Sequence, residues 1–128
     1  MDRAGLAVMK ASLGNPSVAV LGINHLGGIQ DQKKVTTHDI EWAEYVMGIA
    51  ELAAAASQRD DYAKAIQIYK QALELAPNCD LYLMSIGCSF GNLGQPGEGL
   101  QYLEEAAAIS PNNARIRNNL AGIRKMLG

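Results

Sequence analysis

The fold is decided by YAKAIQIYKQALELAPN at residues 62–78, which returns 34 residues later as PGEGLQYLEEAAAISPN at residues 96–112. Four pairs of positions are identical between the copies: Gln67 and Gln101, Ala72 and Ala106, Pro77 and Pro111, Asn78 and Asn112. Three further pairs are alike in kind: Ile66 and Leu100, Tyr69 and Leu103, Leu75 and Ile109. A period of this length is typical of stacked helical repeats, in which neighbouring units bury one another's apolar faces.

Small residues, an aromatic residue and a closing proline recur in a fixed order within this unit. They are Ala65, Tyr69, Ala72 and Pro77 in the first copy, and Gly87, Phe90, Gly94, Leu103, Ala106 and Pro111 in the second. The pattern resembles the tetratricopeptide repeat over about two thirds of the chain. The resemblance implies an all-α fold, a right-handed superhelical stack of antiparallel helix pairs. The sequence departs from the family pattern at Gly99, where alanine is usual, and at Ile49 and Leu83, where an aromatic residue is usual.

The resemblance also divides the chain. Residues 37–128 are expected to form the repeat domain, with repeats at 46–79 and 80–113 and a capping helix at 114–128. Helical patterns run from Asp39 to about Ser57, Tyr62 to Ala76, Asp80 to about Leu93, Pro96 to Ile109 and Ala114 to Leu127. Trp42 and Tyr45 extend the apolar stripe beyond the first repeat. We therefore expect the N-terminal arm or another chain to cover them.

Residues 1–36 contain two short apolar runs, Leu6–Ala11 and Val18–Ile23, separated by Pro16. Pro16 lies 61 residues before Pro77, which is not two repeat lengths, so a third full repeat in phase is not expected. Two interpretations remain: a partly ordered arm that packs on the first repeat, or a degenerate extra helical pair.

The composition of the chain indicates which kinds of partner and which cellular compartment to expect. The chain has 128 residues, a net charge of −2 and 48% hydrophobic residues. This charge does not favour nucleic acid or an anionic membrane surface as partner. No signal-peptide pattern or membrane-length apolar run is present, so we expect a cytoplasmic protein without membrane insertion. Cys79 and Cys88 are expected to be free thiols in a reducing compartment.

No pattern in the chain supports catalysis or a cofactor. His25 and His38 do not complete a four-ligand zinc pattern with the two cysteines. The adjacent carboxylates of Asp60 and Asp61 are expected to cap a helix, since neither histidine nor a third acid accompanies them. Phosphate-binding loops and nucleophile elbows are absent from the sequence. The sequence therefore predicts a protein that is not an enzyme and that needs neither a cofactor nor a metal.

The family resemblance implies a concave groove lined by the first helix of each pair. It places there Met47, Ala50, Glu51, Ala54 and Ser57, then Leu81, Met84, Ser85, Cys88 and Asn92, and finally Arg115, Asn118 and Asn119. Family members that grip a chaperone's terminal carboxylate carry lysine, arginine and asparagine together in these slots. Here the two complete repeats carry mainly small or apolar residues and one acid there, so this mode of binding is not favoured, with Arg115 as its remnant. The mainly small and apolar lining favours a peptide or helix of a partner protein. The alternative is that the N-terminal arm or a second copy fills the groove.

Charge is distributed unevenly along the repeats. Acidic residues cluster in the first repeat helix and its turn: Asp39, Glu41, Glu44, Glu51, Asp60 and Asp61. The last helix carries Arg115, Arg117, Arg124 and Lys125 without an acid. End-to-end self-assembly is therefore a second hypothesis, and it predicts association that weakens with salt. RNA is not favoured, because the basic helix lacks an aromatic side chain for base stacking.

Overall fold

A computed structural model of the protein describes residues 37–128; the N-terminal arm, residues 1–36, lies outside the described residues. The described chain forms five helices: α1 (Thr37–Gln58), α2 (Tyr62–Leu75), α3 (Asp80–Asn92), α4 (Pro96–Ile109) and α5 (Ala114–Leu127). No strand occurs among these residues. The helices pack in chain order, α1 on α2 through α4 on α5. The predicted all-α stack of helix pairs is confirmed.

The helix ends follow from local chemistry. The backbone N–H of Lys64 donates to Asp61 Oδ1 at 3.3 Å, so Asp61 caps α2 as predicted. Asn113 caps α5 in the same way, accepting from the Ile116 N–H at 3.2 Å. Helix α4 instead begins with Pro96, whose missing N–H needs no partner at that position.

The turn inside each repeat uses a left-handed residue at the same position. Asp60 has a φ of 60°, and Gly94, one repeat later, has a φ of 76°. Glycine takes this conformation without steric cost, whereas a residue with a Cβ is strained there. The shared conformation shows that the repeat geometry, and not the residue type, sets the backbone of this turn.

Two buried clusters make up the core of the described residues. The first lies between α1, α2 and α3, and includes Val46, Ala65 and Ile86. The second joins α3, α4 and α5, and includes Leu83 and Leu103. The partly buried side chains of Leu73, Leu81 and Tyr102 pack against both clusters. The two repeats therefore share one continuous apolar interior.

The second repeat brings its two helices unusually close. A Cβ built on Gly99 would lie 2.5 Å from the Gly87 carbonyl oxygen, and one built on Gly87 would lie 2.7 Å from Leu103 Cγ. In the first repeat the same two positions are the fully buried Ala53 and Ala65. The departure at Gly99 thus has a steric reason, because α3 and α4 meet where only hydrogen fits.

A hydrogen bond also connects α3 and α4 where α3 begins and α4 ends. The Ser110 hydroxyl donates to Asp80 Oδ2 at 2.6 Å and so links the residue after α4 to the first turn of α3. The same carboxylate accepts from the Leu81 N–H at 2.9 Å through Oδ1. Because Asp80 is buried, these bonds offset part of the cost of removing its charge from water.

The start of α1 differs from the rest of the stack. Trp42 is half-buried and packs against the first cluster, whereas Tyr45 is 38% exposed. The cover that we expect from the N-terminal arm lies outside the described residues. Within residues 37–128, no helix has both the length and the apolar character needed to cross a membrane.

Candidate binding groove

A cleft of about 320 Å³ opens on the face formed by α1, α3 and α5. These are the first helix of each repeat and the last helix of the chain, which the repeat pattern predicts to line one side. The lining residues are Ala54, Ser57, Gln58, Tyr62, Tyr69, Met84, Ser85, Cys88, Ser89, Asn92, Arg115 and Asn119.

A second cleft of about 360 Å³ lies between α3 and α5. Its lining residues are Cys88, Gly91, Asn92, Asn118, Asn119, Gly122, Ile123 and Met126. Cys88, Asn92 and Asn119 belong to both clefts, so the two are continuous. We call the two clefts together the groove.

Some of the residues that line the floor of the groove are also part of the buried core. Met84 is only 4% exposed and is part of the second buried cluster. Ser89 is equally buried, and its hydroxyl donates to the Ser85 carbonyl oxygen at 2.8 Å, which satisfies it within its own helix. A ligand in the groove would therefore touch the edge of these side chains, while the half-buried Cys88 and the exposed Asn92 offer more surface.

Most of the residues predicted to line a concave face are brought together here. Nine of the thirteen line one of the two clefts: Ala54, Ser57, Met84, Ser85, Cys88, Asn92, Arg115, Asn118 and Asn119. The other four do not line either cleft. Met47, Ala50 and Leu81 are partly buried and pack against the first cluster, and Glu51 is exposed. Whether any of these residues binds a partner remains a prediction.

The groove also includes residues that the sequence argument omitted: Gln58, Tyr62, Tyr69, Ser89, Gly91, Gly122, Ile123 and Met126. Tyr62 and Tyr69 lie on α2, and an argument restricted to the first helix of each pair cannot find them. For Gly91 and Gly122 the sequence does offer a signal, because a glycine inside a helix marks either a close approach of another element or an open surface. Gly91 is a close approach, with Ile123 Cδ1 2.9 Å from a built Cβ, whereas Gly122 faces open space.

Polar groups of the groove are mostly neutral. Among residues 37–128, Arg115 is the one charged side chain that lines the two clefts. Burial raises the pKa of the Cys88 thiol, and the positive charge of Arg115 opposes this shift. The Tyr62 hydroxyl donates to Asp60 Oδ1 at 3.0 Å, and this bond raises the pKa of the phenol.

The groove offers neutral polar groups beside apolar surface. Within residues 37–128, no group of three or more His, Cys, Asp or Glu side chains could hold a metal ion. The groove instead combines neutral donors and acceptors with the edges of apolar side chains. Such a surface suits a ligand with alternating apolar and amide groups.

Curated relatives match about half of the chain. The chain is 34% identical over 62 residues to the peroxisomal targeting signal receptor of Kluyveromyces lactis, covering 48% of this chain and 11% of that protein. It is 33% identical over 63 residues to the receptor of the same name in Saccharomyces cerevisiae, 49% of this chain and 10% of the relative. A heat-shock protein cognate co-chaperone of Aspergillus fumigatus is 32% identical over 66 residues, 52% of this chain and 19% of the relative. The chain thus spans a fifth or less of the relatives it matches.

A solved structure of a repeat domain is similar to this chain. It is the C-terminal tetratricopeptide-repeat-containing domain of an FK506-binding protein from Plasmodium falciparum. The TM-score is 0.67 at 19% identity, over 98% of this chain and 89% of that domain. Two family models, both described as tetratricopeptide repeat, match residues 48–79 and 82–113, which together make up half of the chain. With the repeat pattern and the helix pairs, these matches show that the chain belongs to the tetratricopeptide repeat family.

Proposed function

We propose that this chain is a non-catalytic binding module that holds a peptide or helix of a partner protein in the groove. The observation that carries the proposal is the continuity of the two clefts across α1, α3 and α5, since it offers one long concave surface instead of a closed pocket. Stacked helical repeats commonly bind polypeptide along such a surface. The role is that of an adaptor or of a chaperone-like protein.

The relatives support a polypeptide ligand. By their names, two are receptors for a targeting signal and one is a co-chaperone, so each acts on other proteins. Two free thiols, one of them fully buried, suit a reducing compartment. We therefore place the module in the cytoplasm.

Selection from a random peptide library on the immobilised full chain tests this proposal. Peptides that are enriched would be measured for affinity against the parent protein and two variants. Asn92→Arg puts a bulky charge where the two clefts meet, and it should weaken binding by about tenfold or more. Gln101→Arg is the matched control, because Gln101 is exposed on α4 and lines neither cleft.

Two results would contradict the proposal. One is a library that yields no enriched peptide although the protein is folded. The other is a set of peptides whose affinity drops equally in both variants, or in neither, which would place their binding outside the groove.

Self-assembly is the second candidate, and the charge distribution favours it. All four basic side chains of α5 are exposed, as are Glu41, Glu51, Asp60 and Asp61 near the other end. Light scattering at low and high salt distinguishes the candidates. Assembly through these ends predicts oligomers that dissociate as salt increases, whereas a monomer under both conditions removes this candidate.

A further inference from the structure

One face of α3 packs on α4 in the second repeat. The residues of this face are Asp80, Leu83, Gly87 and Phe90. Gly87 and Phe90 lie against Gly99, since a Cβ built on Gly99 would lie 2.5 Å from the Gly87 carbonyl oxygen and 3.2 Å from Phe90 Cβ. Asp80 accepts from the hydroxyl of Ser110 just after α4, and Leu83 belongs to the buried cluster that joins α3 and α4. These are therefore the positions at which a first helix pairs with its second helix.

Helix α5 exposes the same four positions. In α1 the equivalent residues are buried: Val46, Ile49, Ala53 and Ala56. In α5 they are exposed: Ala114, Arg117, Ala121 and Arg124. Within residues 37–128, α5 packs on α4 and α3 through its other faces. We call these four residues of α5 the pairing face.

The pairing face is positively charged and is small near its centre. Ala121 is small, like the residues at this position in both complete repeats, so the backbone of another helix can approach closely there. Arg117 and Arg124 lie where the earlier first helices carry apolar residues. The two arginines are seven residues apart, which is about two turns along one side of the helix. Helix α5 contains no acidic residue, so neither arginine has a carboxylate partner on its own helix.

Helix α4 carries a complementary pair of charges. Glu98 and Glu105 are both exposed, and they are also seven residues apart. The equivalent residues of α2 are Lys64 and Gln71, so of the two second helices only α4 has this acidic pair. The spacing of the two carboxylates therefore equals the spacing of the two guanidinium groups.

We propose that the pairing face of one copy of this chain binds the acidic pair on α4 of a second copy, whose helix takes the place of a further second helix. In an antiparallel contact, Arg117 binds Glu105 and Arg124 binds Glu98. Guanidinium and carboxylate groups form short, paired hydrogen bonds in such contacts. No residue of the pairing face lines either cleft, so this contact goes beyond the proposed peptide binding and leaves the groove free.

The charges of the pairing face decide between its possible occupants. An apolar helix would remove two guanidinium groups from water without giving them a partner, which is costly. An acidic helix offsets this cost, because each arginine gains a charge-assisted hydrogen bond. A second copy is preferred over a foreign acidic helix, because its own α4 already carries two exposed carboxylates at the matching spacing.

Charge reversal in the full-length protein tests the proposal. One variant combines Arg117→Glu with Arg124→Glu, and the other combines Glu98→Arg with Glu105→Arg. Light scattering of the parent at low salt should give an average mass above that of the monomer, and the mass should rise with protein concentration. Each variant alone should associate at least about tenfold more weakly, because like charges then face each other. An equimolar mixture of the two variants should associate as the parent does, since every pair is again opposite in charge.

A matched variant separates this contact from the end-to-end pairing of α5 with the acidic residues near the start of the stack. Glu41→Arg with Glu51→Arg reverses two exposed acids of α1, and it should associate like the parent. All substituted residues are exposed, so circular dichroism should show the same helical content in every variant.

Three results would overturn the proposal. A parent protein that is monomeric at every concentration would mean that the pairing face is bare. Variants that associate as strongly as the parent, or a mixture that stays as weak as its components, would mean that other residues hold the copies together. Loss of association in the variant of Glu41 and Glu51 would assign it to the end-to-end contact.

Discussion

Gly99 faces Gly87 so closely that a Cβ on Gly99 would lie 2.5 Å from the Gly87 carbonyl oxygen. The first repeat holds Ala65 and Ala53 at these positions. The two glycines therefore lower the helix propensity of the second repeat, but they allow the backbones of α3 and α4 to approach more closely. This exchange leads to a direct prediction about stability.

Gly99→Ala should lower the free energy of unfolding by about 1–2 kcal/mol. The cost of overpacking, about 1–3 kcal/mol, exceeds the gain of up to about 1 kcal/mol in helix propensity. Urea denaturation measures the change. Gly97→Ala is the matched control on the same helix, since a Cβ there meets nothing within 4 Å, and it should leave stability unchanged or raise it. If both variants behaved alike, the close approach would not govern this position.

Substitutions at the two left-handed turn residues, Asp60 and Gly94, should change the stability of the protein in opposite directions. Gly94→Ala should destabilise the protein by about 1 kcal/mol, because alanine is strained at a φ of 76°. Asp60→Gly should stabilise it by about 0.5 kcal/mol, since relief of strain outweighs the loss of an exposed hydrogen bond to Tyr62. Thermal denaturation of both variants checks the pair. A stable Gly94→Ala protein would contradict the shared turn geometry.

The two thiols should differ in reactivity. Cys79 is fully buried, and burial raises its pKa to about 11, so only about one thiol in a thousand is ionised at pH 8. Cys88 is only half-buried in the groove; burial raises its pKa as well, but the positive charge of Arg115 opposes the shift. Iodoacetamide should therefore modify Cys88 first and reach Cys79 only on unfolding, as mass spectrometry would show.

Arg115→Gln provides the control for this ordering. Loss of the positive charge should slow the modification of Cys88 and leave Cys79 unchanged. Faster modification of Cys79 than of Cys88 in the native protein would contradict the described burial.

The free energy of unfolding should depend on pH above the ordinary pKa of a thiol. Folding raises the pKa of Cys79 from 9.0 to about 11, so above pH 9 the unfolded chain loses a proton that the folded chain keeps. The free energy of unfolding should then decrease with rising pH by up to about 1.4 kcal/mol per unit, while stability below pH 9 is unaffected by this group. Chemical denaturation between pH 8 and pH 10.5 measures the slope. Cys79→Ala should flatten it, and parallel profiles for the two proteins would exclude this cause.

The helix boundaries could be predicted from the sequence within about two residues, because Asp61, Pro77, Pro96 and Pro111 determine them locally. The groove could be predicted only in part. Helix α3 is packed on several sides, and eight of its 13 residues are buried. Its periodicity therefore cannot separate a groove residue such as Cys88 from a core residue such as Ile86. Tyr69 reaches the groove from α2 because of how the helices rotate in the stack, which periodicity does not encode.

The side chains of Leu73, Leu81 and Tyr102, which contact both buried clusters, have a consequence for how the repeats melt. Long repeat arrays often lose their units one after another, since each unit contacts only its immediate neighbours. Here the shared side chains couple the repeats, so calorimetry should show a single heat-absorption peak whose van't Hoff and calorimetric enthalpies agree. Cutting this coupling with Leu81→Ala should broaden or split the peak. With this coupling intact, each repeat of so short an array persists only as long as its neighbour does.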